Sequence, residues 1–280
     1  MTEWYEINRQ TRAVDPADRG FQYGDGLFET IAIRDGKARQ WSYHLDRLTT
    51  GCKKLGLELP PGSLELDLEV ALARSSHDKS FCIAKIIVTA GSAVRGYGRE
   101  MPTPGEIYIG VFPATPLNKP AYVKGVATML CETRLATGTP VAGMKTLNRI
   151  EQVLASSECQ PTGAFEGFTL DADGRLICGT ISNVFIVKNK AIRTPSLNRC
   201  GVEGTMRRLV LWLLHREERE ADVCDLTEDD LANADEVFIT NSQMGAVPVH
   251  RCGNYKWAIG PETCNVMRLL ADHGIDECRI

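Results

Sequence analysis

Lys145 has the surroundings in this sequence that point most clearly to chemistry. It lies in AGMKTLNRIEQVLA, residues 142–155, between a glycine-containing turn and an amphipathic pattern with Thr146 as the predicted helix cap. The apolar face of that predicted helix consists of Leu147, Ile150 and Leu154. A lysine just before a helix N-terminus lies in a positive field, which lowers the pKa of the amine and favours its nucleophilic form. The segment predicts a nucleophile or base, although a solvated surface lysine is the more common case for such a fragment.

Two glycine-bearing stretches are candidates for binding a ligand. RCGVEGTMRRLVLWLL has Gly204 directly before a predicted helix, so that the N–H groups of Thr205 and Met206 would converge on a phosphate. DRGFQYGDGLFETI combines three glycines with aromatic residues that could line a planar ligand. Each stretch alone is also typical of a structural role, namely the ordinary start of a helix and a turn into a core strand.

Six motifs in this order resemble the fold-type IV pyridoxal-phosphate enzymes over essentially the whole chain: YGDGLFET, HLDRL, GMKTLNRIEQVLA, SNVF, GVEGTMR and TNSQMGAVPV. KTLNRIEQ and RGYG (residues 95–98) are most similar to the aminodeoxychorismate lyase branch of that family. Branched-chain and D-amino-acid aminotransferases share the fold. The resemblance implies a two-lobed, mixed α/β or α+β fold of the D-amino-acid aminotransferase type, pyridoxal 5'-phosphate as cofactor, a small-molecule substrate and a homodimer.

The resemblance also implies a role for each matched residue. Lys145 matches the lysine that binds the cofactor as a Schiff base and moves protons during the reaction. The residues implied to bind the cofactor phosphate are Arg47, Gly204, Thr205, Met206 and Ser242. Asn183 matches a residue near the cofactor ring. The residues implied on the substrate side are Tyr23, Arg95, Tyr97 and Asn241, with Arg95 available to meet a carboxylate.

Cys178 departs from the family pattern. The family has a glutamate at the first position of the run that reads CGTISN here, and that glutamate contacts the pyridine nitrogen of the cofactor. A carboxylate strengthens the ring as an electron sink, whereas a neutral thiol is at best a weak hydrogen-bond partner.

Three functions are compatible with this pattern. The resemblance favours a lyase of folate biosynthesis that converts 4-amino-4-deoxychorismate to 4-aminobenzoate and pyruvate, because aromatisation drives that reaction. An aminotransferase of the same fold is the first alternative, and Cys178 argues against it more strongly. The second alternative is a cofactor-binding homologue with reduced activity.

The first part of the chain has the pattern of an α+β lobe. FETIAIRDGKARQW predicts a hairpin turning at Asp35-Gly36, and SYHLDRLTTGCKKLGL predicts a helix with Ser42 as its N-cap. FCIAKIIVTAG and EIYIGVFPA predict two further strands. The prolines of PATPLNKPAY predict a linker at residues 115–122, after a lobe at residues 1–114.

The second predicted lobe, residues 123–280, carries Lys145 and the phosphate-binding residues. Its predicted strands lie in KGVATMLCETR, in FEGFTLDADGRLICGTISNVFIVKNKAIRTP and in DEVFITNSQMGAVPVHRC. Its predicted helices lie in the Lys145 segment, in GTMRRLVLWLLHREE and near PETCNVMRLLADHG. Because catalytic pockets often lie between lobes, we expect the chemistry in the cleft between them.

Composition limits the possible partners and compartment. The chain has 280 residues, 32 basic against 36 acidic side chains and a net charge of -4, without a basic block, so we expect no nucleic-acid partner. No stretch predicts a leader or a membrane span. The ten cysteines are scattered without a CxxC pair, which favours reduced thiols, a cytoplasmic enzyme and no metal site.

Overall fold

The computed structural model describes residues 3–6, 14–59, 62–93 and 95–280, which divide into two compact units. Unit 1 consists of Met1–Thr115 and Met144–Asn148, and unit 2 consists of Pro116–Gly143 and Arg149–Ile280. In the part of the chain so described, none of the helices has the length and apolar character needed to cross a membrane. All ten cysteines lie in these ranges, and none of them forms a disulfide.

Unit 1 is an antiparallel sheet with helices against one face. Its strands are β1 (Glu3–Glu6), β2 (Gly26–Arg34), β3 (Lys37–Ala38), β4 (Leu57–Glu58), β5 (Phe81–Thr89), β6 (Thr103–Pro104) and β7 (Glu106–Pro113). Its helices are α1 (Arg19–Tyr23), α2 (Trp41–Leu55) and α3 (Leu64–Arg74). The main sheet has the order β1-β7-β5-β2-β3, while β4 and β6 form a small parallel pair. The sheet and α2 and α3 bury one apolar core, which includes Ile31, Ile33, Leu48, Leu68, Ile86 and Ile109.

Side-chain alternation in β2 and β5 gives the sheet of unit 1 two different faces. In β5, Ala84, Ile86 and Val88 are fully buried, whereas the intervening residues, including Lys85, are only partly buried. In β2 the core side includes Ile31, and Phe28 lies on the other face. The sheet thus separates an apolar side from a face that carries aromatic and basic residues.

Unit 2 is a ten-stranded mixed sheet with helices packed on it. Its strands are β8 (Val126–Leu135), β9 (Glu166–Asp171), β10 (Arg175–Gly179), β11 (Asn183–Lys188), β12 (Ala191–Pro195), β13 (Ala221–Cys224), β14 (Leu226–Thr227), β15 (Glu236–Asn241), β16 (Gly245–Cys252) and β17 (Tyr255–Lys256). Its helices are α4 (Lys119–Lys124), α5 (Ile150–Cys159), α6 (Thr205–Arg216), α7 (Glu228–Ala232) and α8 (Pro261–Asp272), and two short 3-10 turns lie at Gln160–Thr162 and Asp276–Cys278. The sheet order is β13-β12-β11-β15-β16-β8-β9-β10-β14, with β17 beside β16. Phe185 of β11 and Phe238 of β15 are cross-strand partners whose rings stack 4.8 Å apart in its core.

Most elements expected from the sequence are present, and three local expectations are wrong. The hairpin between β2 and β3 turns at Asp35 and Gly36, both with positive φ, as expected. Helix α2, however, begins at Trp41 after Gln40 in a left-handed conformation, so Ser42 is not its N-cap. Part of the stretch predicted as a linker forms α4, whose N-cap is Asn118. The third difference concerns the segment that carries Lys145.

Candidate functional site

Lys145 lies on an extended segment that pairs with β2, not at a helix end. The N–H of Phe28 donates to the Lys145 carbonyl at 2.9 Å, and the N–H of Leu147 donates to the Gly26 carbonyl at 3.0 Å. Helix α5 begins only at Ile150 and has no side-chain cap. The prediction of a helix starting at Thr146 is therefore wrong, because these residues use their backbone groups in strand pairing.

The predicted apolar face of the Lys145 segment is also absent. Leu147 precedes α5, and Ile150 and Leu154 are exposed rather than buried. The argument from the helix field consequently does not apply to Lys145. Sheet pairing, rather than a helix start, fixes the backbone of this lysine.

Two lysines lie against the ring of Phe28 in unit 1. The Nζ of Lys145 is 4.3 Å from the ring centroid, and the Nζ of Lys85 is 4.9 Å from it. Burial lowers the pKa of Lys85. Phe28 is one of the aromatic residues of DRGFQYGDGLFETI that the sequence suggested could line a planar ligand. Sequence reasoning missed Lys85, although a lone lysine within the apolar run of β5 is the kind of signal that could have indicated a site.

Arg47 is held by a buried carboxylate from β2. Its Nε donates to Glu29 Oε1 at 2.8 Å and its Nη2 to Glu29 Oε2 at 2.5 Å, a bidentate arrangement. The Nδ1 of His44 lies 2.6 Å from Glu29 Oε2. Glu29 and His44 are each 1% exposed. Sequence reasoning missed both. The available signals were one acidic residue on the apolar side of β2 and the H-x-x-R pattern of α2.

The groups of this cluster shift one another's pKa values. Burial raises the pKa of Glu29, but the hydrogen bonds from His44 and Arg47 and the charge of Arg47 outweigh burial and hold the pKa at about 2. Burial lowers the pKa of His44 despite its bond to Glu29, and the positive charges of Arg47 and Lys145 lower it further. At neutral pH, Glu29 is therefore an anion and His44 a neutral donor.

Tyr23, Arg95 and Tyr97, predicted on the substrate side, also belong to unit 1. Tyr23 ends α1, and its ring lies 5.3 Å from that of Tyr97. Tyr97 is 86% exposed, and Arg95 is exposed as well. The two loop residues therefore present their side chains to solvent.

In unit 2, Asn183 holds the start of α6. Its Oδ1 accepts from the Gly204 N–H at 3.1 Å, and its Nδ2 donates to the Val202 carbonyl at 2.9 Å. A Cβ at Gly204 would lie 2.1 Å from the Asn183 oxygen, so this position requires glycine. The N-cap residue of α6 is Gly204, which has no side chain to cap the helix, and the first residues of the helix are Thr205 and Met206. The helix start therefore has backbone donors suited to an anion.

Asn241 and Ser242 lie at the same end of the sheet as Asn183. Strand β11 begins where the antiparallel β15 ends, with Asn183 opposite Thr240. Asn241 Oδ1 accepts from the N–H groups of Gln243 and Met244, each at 2.9 Å. Unit 2 therefore brings together Asn183, the start of α6 and the Asn241–Ser242 turn.

Cys178 is buried in β10 next to two polar groups of β9. Burial raises the pKa of its thiol to about 12, and its Sγ is 3.6 Å from Thr169 Oγ1. Glu166 is also buried, and burial raises its pKa to about 7 although it accepts from the Ile181 N–H at 2.7 Å and from Ser182 Oγ at 2.8 Å. Cys178 is thus a neutral thiol, and Glu166, whose charge acts on it, accepts hydrogen bonds from the turn that follows β10.

Comparison with known proteins identifies the family. The Amino-transferase class IV pattern matches residues 26–252. Aminodeoxychorismate lyase from Vibrio harveyi is 37% identical over 237 residues, 83% of this chain and 84% of the relative. A putative branched-chain-amino-acid aminotransferase from Methanocaldococcus jannaschii is 30% identical over 244 residues, 87% of this chain and 84% of the relative.

A solved structure agrees with the same assignment. The crystal structure of 4-amino-4-deoxychorismate lyase from Pseudomonas aeruginosa has a TM-score of 0.91 and 35% identity, and the match covers 98% of this chain and 100% of that one. The predicted family resemblance and the mixed α/β fold of fold type IV are confirmed. This chain is therefore an enzyme of the class IV aminotransferase family.

Proposed function

We propose that this enzyme is a pyridoxal-phosphate-dependent lyase that converts 4-amino-4-deoxychorismate to 4-aminobenzoate and pyruvate. The observation that carries the proposal is the Lys145 amine against the Phe28 ring, close enough to the cluster of Glu29, His44 and Arg47 for its charge to lower the pKa of His44. Similarity to the Vibrio harveyi and Pseudomonas aeruginosa lyases supports the choice of reaction.

The residues fit pyridoxal 5'-phosphate. In our proposal Arg47, the α6 start at Gly204, Thr205 and Met206, and Ser242 hold its phosphate, while Lys145 holds its aldehyde carbon and Asn183 and Cys178 lie near its ring. Thr205 and Met206 are the first two residues of α6, and backbone N–H groups at a helix start suit a phosphate, which supports this assignment. When bound, this cofactor supplies an electron sink for the bonds that break at the substrate carbon bearing the amine.

The side chains supply proton transfer and orientation. The Lys145 amine removes the proton from the amine-bearing carbon of the substrate. The enolpyruvyl C–O bond then breaks, the ring becomes aromatic, and the released enolpyruvate takes up a proton to give pyruvate. The substrate carries two carboxylates, which we assign to cationic and polar groups that include Arg95 and Lys85. Tyr23, Tyr97 and Asn241 complete the proposed substrate side.

The neutral Cys178 thiol favours elimination over transamination. A thiol with a pKa of about 12 carries no charge at neutral pH and does not hold a ring nitrogen protonated as a carboxylate would. Formation of an aromatic product lowers the demand on the electron sink, whereas transamination has no such driving force. A lyase therefore tolerates cysteine at this position better than an aminotransferase does.

The test is a comparison of two assays on the purified, cofactor-loaded enzyme. With 4-amino-4-deoxychorismate alone, we expect equal amounts of 4-aminobenzoate and pyruvate. With branched-chain or D-amino acids and a keto-acid acceptor, we expect at least about 10²-fold lower kcat/KM, a difference of about 3 kcal/mol in barrier. Acceptor-dependent keto-acid formation without 4-aminobenzoate would make the enzyme an aminotransferase, and inertness in both assays would indicate the reduced-activity alternative.

We also propose that the enzyme is a homodimer that uses one face of α5. Ile150, Val153 and Leu154 are spaced i, i+3, i+4 and are each more than half exposed, while Ala155 and Cys159 face the core. Contiguous exposed apolar residues of this kind are typical of contact surfaces. The ten cysteines, none of which forms a disulfide, support a reducing compartment, and we propose the cytoplasm.

Replacing Val153 with glutamate is expected to convert the dimer to a monomer, because the charge would be buried without a partner in the contact. Light scattering coupled to size-exclusion chromatography measures the mass. Val223→Glu, at an exposed valine of β13, is the matched control and should leave the mass unchanged. A wild-type monomer, or a dimer in both variants, would contradict the assignment of this face.

A further inference from the structure

Arg19 joins the loop at residues 95–98 to the start of β2. Its side chain is only 4% exposed. Its Nη1 donates to the Gly96 carbonyl at 2.8 Å, its Nη2 to the Tyr97 carbonyl at 2.7 Å and its Nε to Asp25 Oδ2 at 2.9 Å. One buried guanidinium therefore donates to two consecutive backbone carbonyls and a carboxylate, each through a different one of its three nitrogen atoms.

Asp25 is shared by a second arginine. Arg99 Nε donates to Asp25 Oδ2 at 3.0 Å, and Arg99 also donates to the Leu55 carbonyl at 2.5 Å and to Thr103 Oγ1 at 2.8 Å. Burial raises the pKa of Asp25, but the hydrogen bonds and charges of Arg99 and Arg19 outweigh burial and lower it. Asp25 is therefore ionised at neutral pH and anchors both guanidinium groups.

The loop has little packing of its own to fix it. Arg95 is exposed, Tyr97 is 86% exposed, and a Cβ at Gly96 would meet no atom within 4 Å. The contacts that bind its backbone to the rest of unit 1 include the two carbonyl bonds to Arg19. The guanidinium of Arg19 also lies 5.1 Å from the Tyr23 ring, which is near the ring of Tyr97.

We infer that Arg19 is a positioning residue that orients the 95–98 loop for binding an anionic substrate. It acts through the loop backbone, so that Arg95 and Tyr97 keep one arrangement before substrate arrives, and it reduces the ordering cost of binding. Asp25 fixes the guanidinium plane so that two of its N–H groups point at the carbonyls. The role for substrate binding rests on the proposed function, whereas the role in holding the loop does not.

The fork geometry of arginine allows a sharp test with Arg19→Lys. Lysine keeps the positive charge for Asp25 but cannot bind both carbonyls and the carboxylate from one plane. If charge alone mattered, Arg19→Lys would behave like the wild type. Arg268→Lys, at an exposed arginine paired with Asp272 on α8, is the matched control for the same exchange. Asp25→Asn, which removes the anchor but keeps Arg19, is the second variant.

Two measurements are made on the cofactor-loaded proteins. The first is the rate of trypsin cleavage after Arg95, identified by fragment mass, and the second is KM and kcat for 4-amino-4-deoxychorismate. For Arg19→Lys and Asp25→Asn, we expect the rate of cleavage after Arg95 and the KM each to rise at least about tenfold, as for the loss of one charge-assisted hydrogen bond. The kcat of both variants should stay within about twofold of the wild-type value. Arg268→Lys should match the wild type in both.

The outcomes separate the loop role from the reaction. Wild-type cleavage after Arg95 in both variants would overturn the inference, even if the lyase activity is present. A fall in kcat with unchanged KM would also overturn it, because that result indicates a general structural effect. Faster cleavage in both variants, in an enzyme without lyase turnover, would support the loop role and reject the proposed reaction.

Discussion

Replacing Lys145 with alanine is expected to lower kcat for the proposed reaction by at least about 10³-fold, because one amine provides both covalent attachment of the cofactor and proton transfer. The visible absorbance of covalently bound cofactor should disappear as well. Lys145 is one of two lysines against the Phe28 ring, so that proximity to the ring does not distinguish them. The experiment must therefore separate Lys145 from Lys85.

Borohydride reduction of the loaded enzyme, followed by peptide mapping, makes this distinction. We expect the reduced cofactor adduct on the peptide containing Lys145. Lys85→Ala is the matched control: it should keep the adduct and the absorbance, while KM rises because a cation for a substrate carboxylate is lost. An adduct on Lys85, or full absorbance in Lys145→Ala, would refute the assignment of the covalent lysine.

Replacing Glu29 with glutamine is expected to weaken both the fold and cofactor binding. The exchange leaves the Arg47 guanidinium beside a neutral amide in a buried cluster, which typically costs about 3–5 kcal/mol in free energy of unfolding. Arg47 also loses the bidentate anchor that orients it. We therefore expect the dissociation constant of pyridoxal phosphate to rise roughly 10- to 100-fold, as for the loss of a charge-assisted hydrogen bond.

Urea denaturation and fluorescence titration with the cofactor measure these two effects. Asp235→Asn is the control, because the Lys188–Asp235 pair is exposed and such pairs contribute about 1 kcal/mol or less. The pKa of Glu29 is lower in the folded protein than in the unfolded one, so its contribution is present above pH 4.5 and is lost as the pH falls toward 2. The difference in free energy of unfolding between the wild type and Glu29→Gln should therefore shrink in acid. A difference that does not change with pH would contradict the charge argument.

Local patterns predicted those elements whose residues are determined by near neighbours. The Asp35-Gly36 turn follows from two residues that accept positive φ, and the strands β5 and β7 follow from apolar runs. The same reasoning failed at Thr146 and Leu147, where an apolar periodicity looked helical. That segment pairs with β2, more than a hundred residues earlier, and local spacing does not contain such a pairing.

The candidate site was predictable to the extent that motifs carry it. The motifs predict Arg47 and Lys145 as site residues, and the glycine and helix pattern predicted the start of α6, which the structure has after Gly204. Glu29 was not recognised, because the role of this acidic residue in a strand depends on the side chains of α2 that bind it, and local sequence does not show them. Arg19 was missed for the same reason, since its partners are backbone carbonyls of a distant loop.

The assignment of Met144–Asn148 to unit 1 has a consequence for how the protein is made. The residues on either side of this segment belong to unit 2, so no single cut in the chain separates the two units. During synthesis, the pairing of β2 with the Lys145 segment cannot form until residue 148 has left the ribosome, long after the five strands of the first sheet. The buried residues of the first core, Leu27 to Val111, are therefore all synthesised before the lysine.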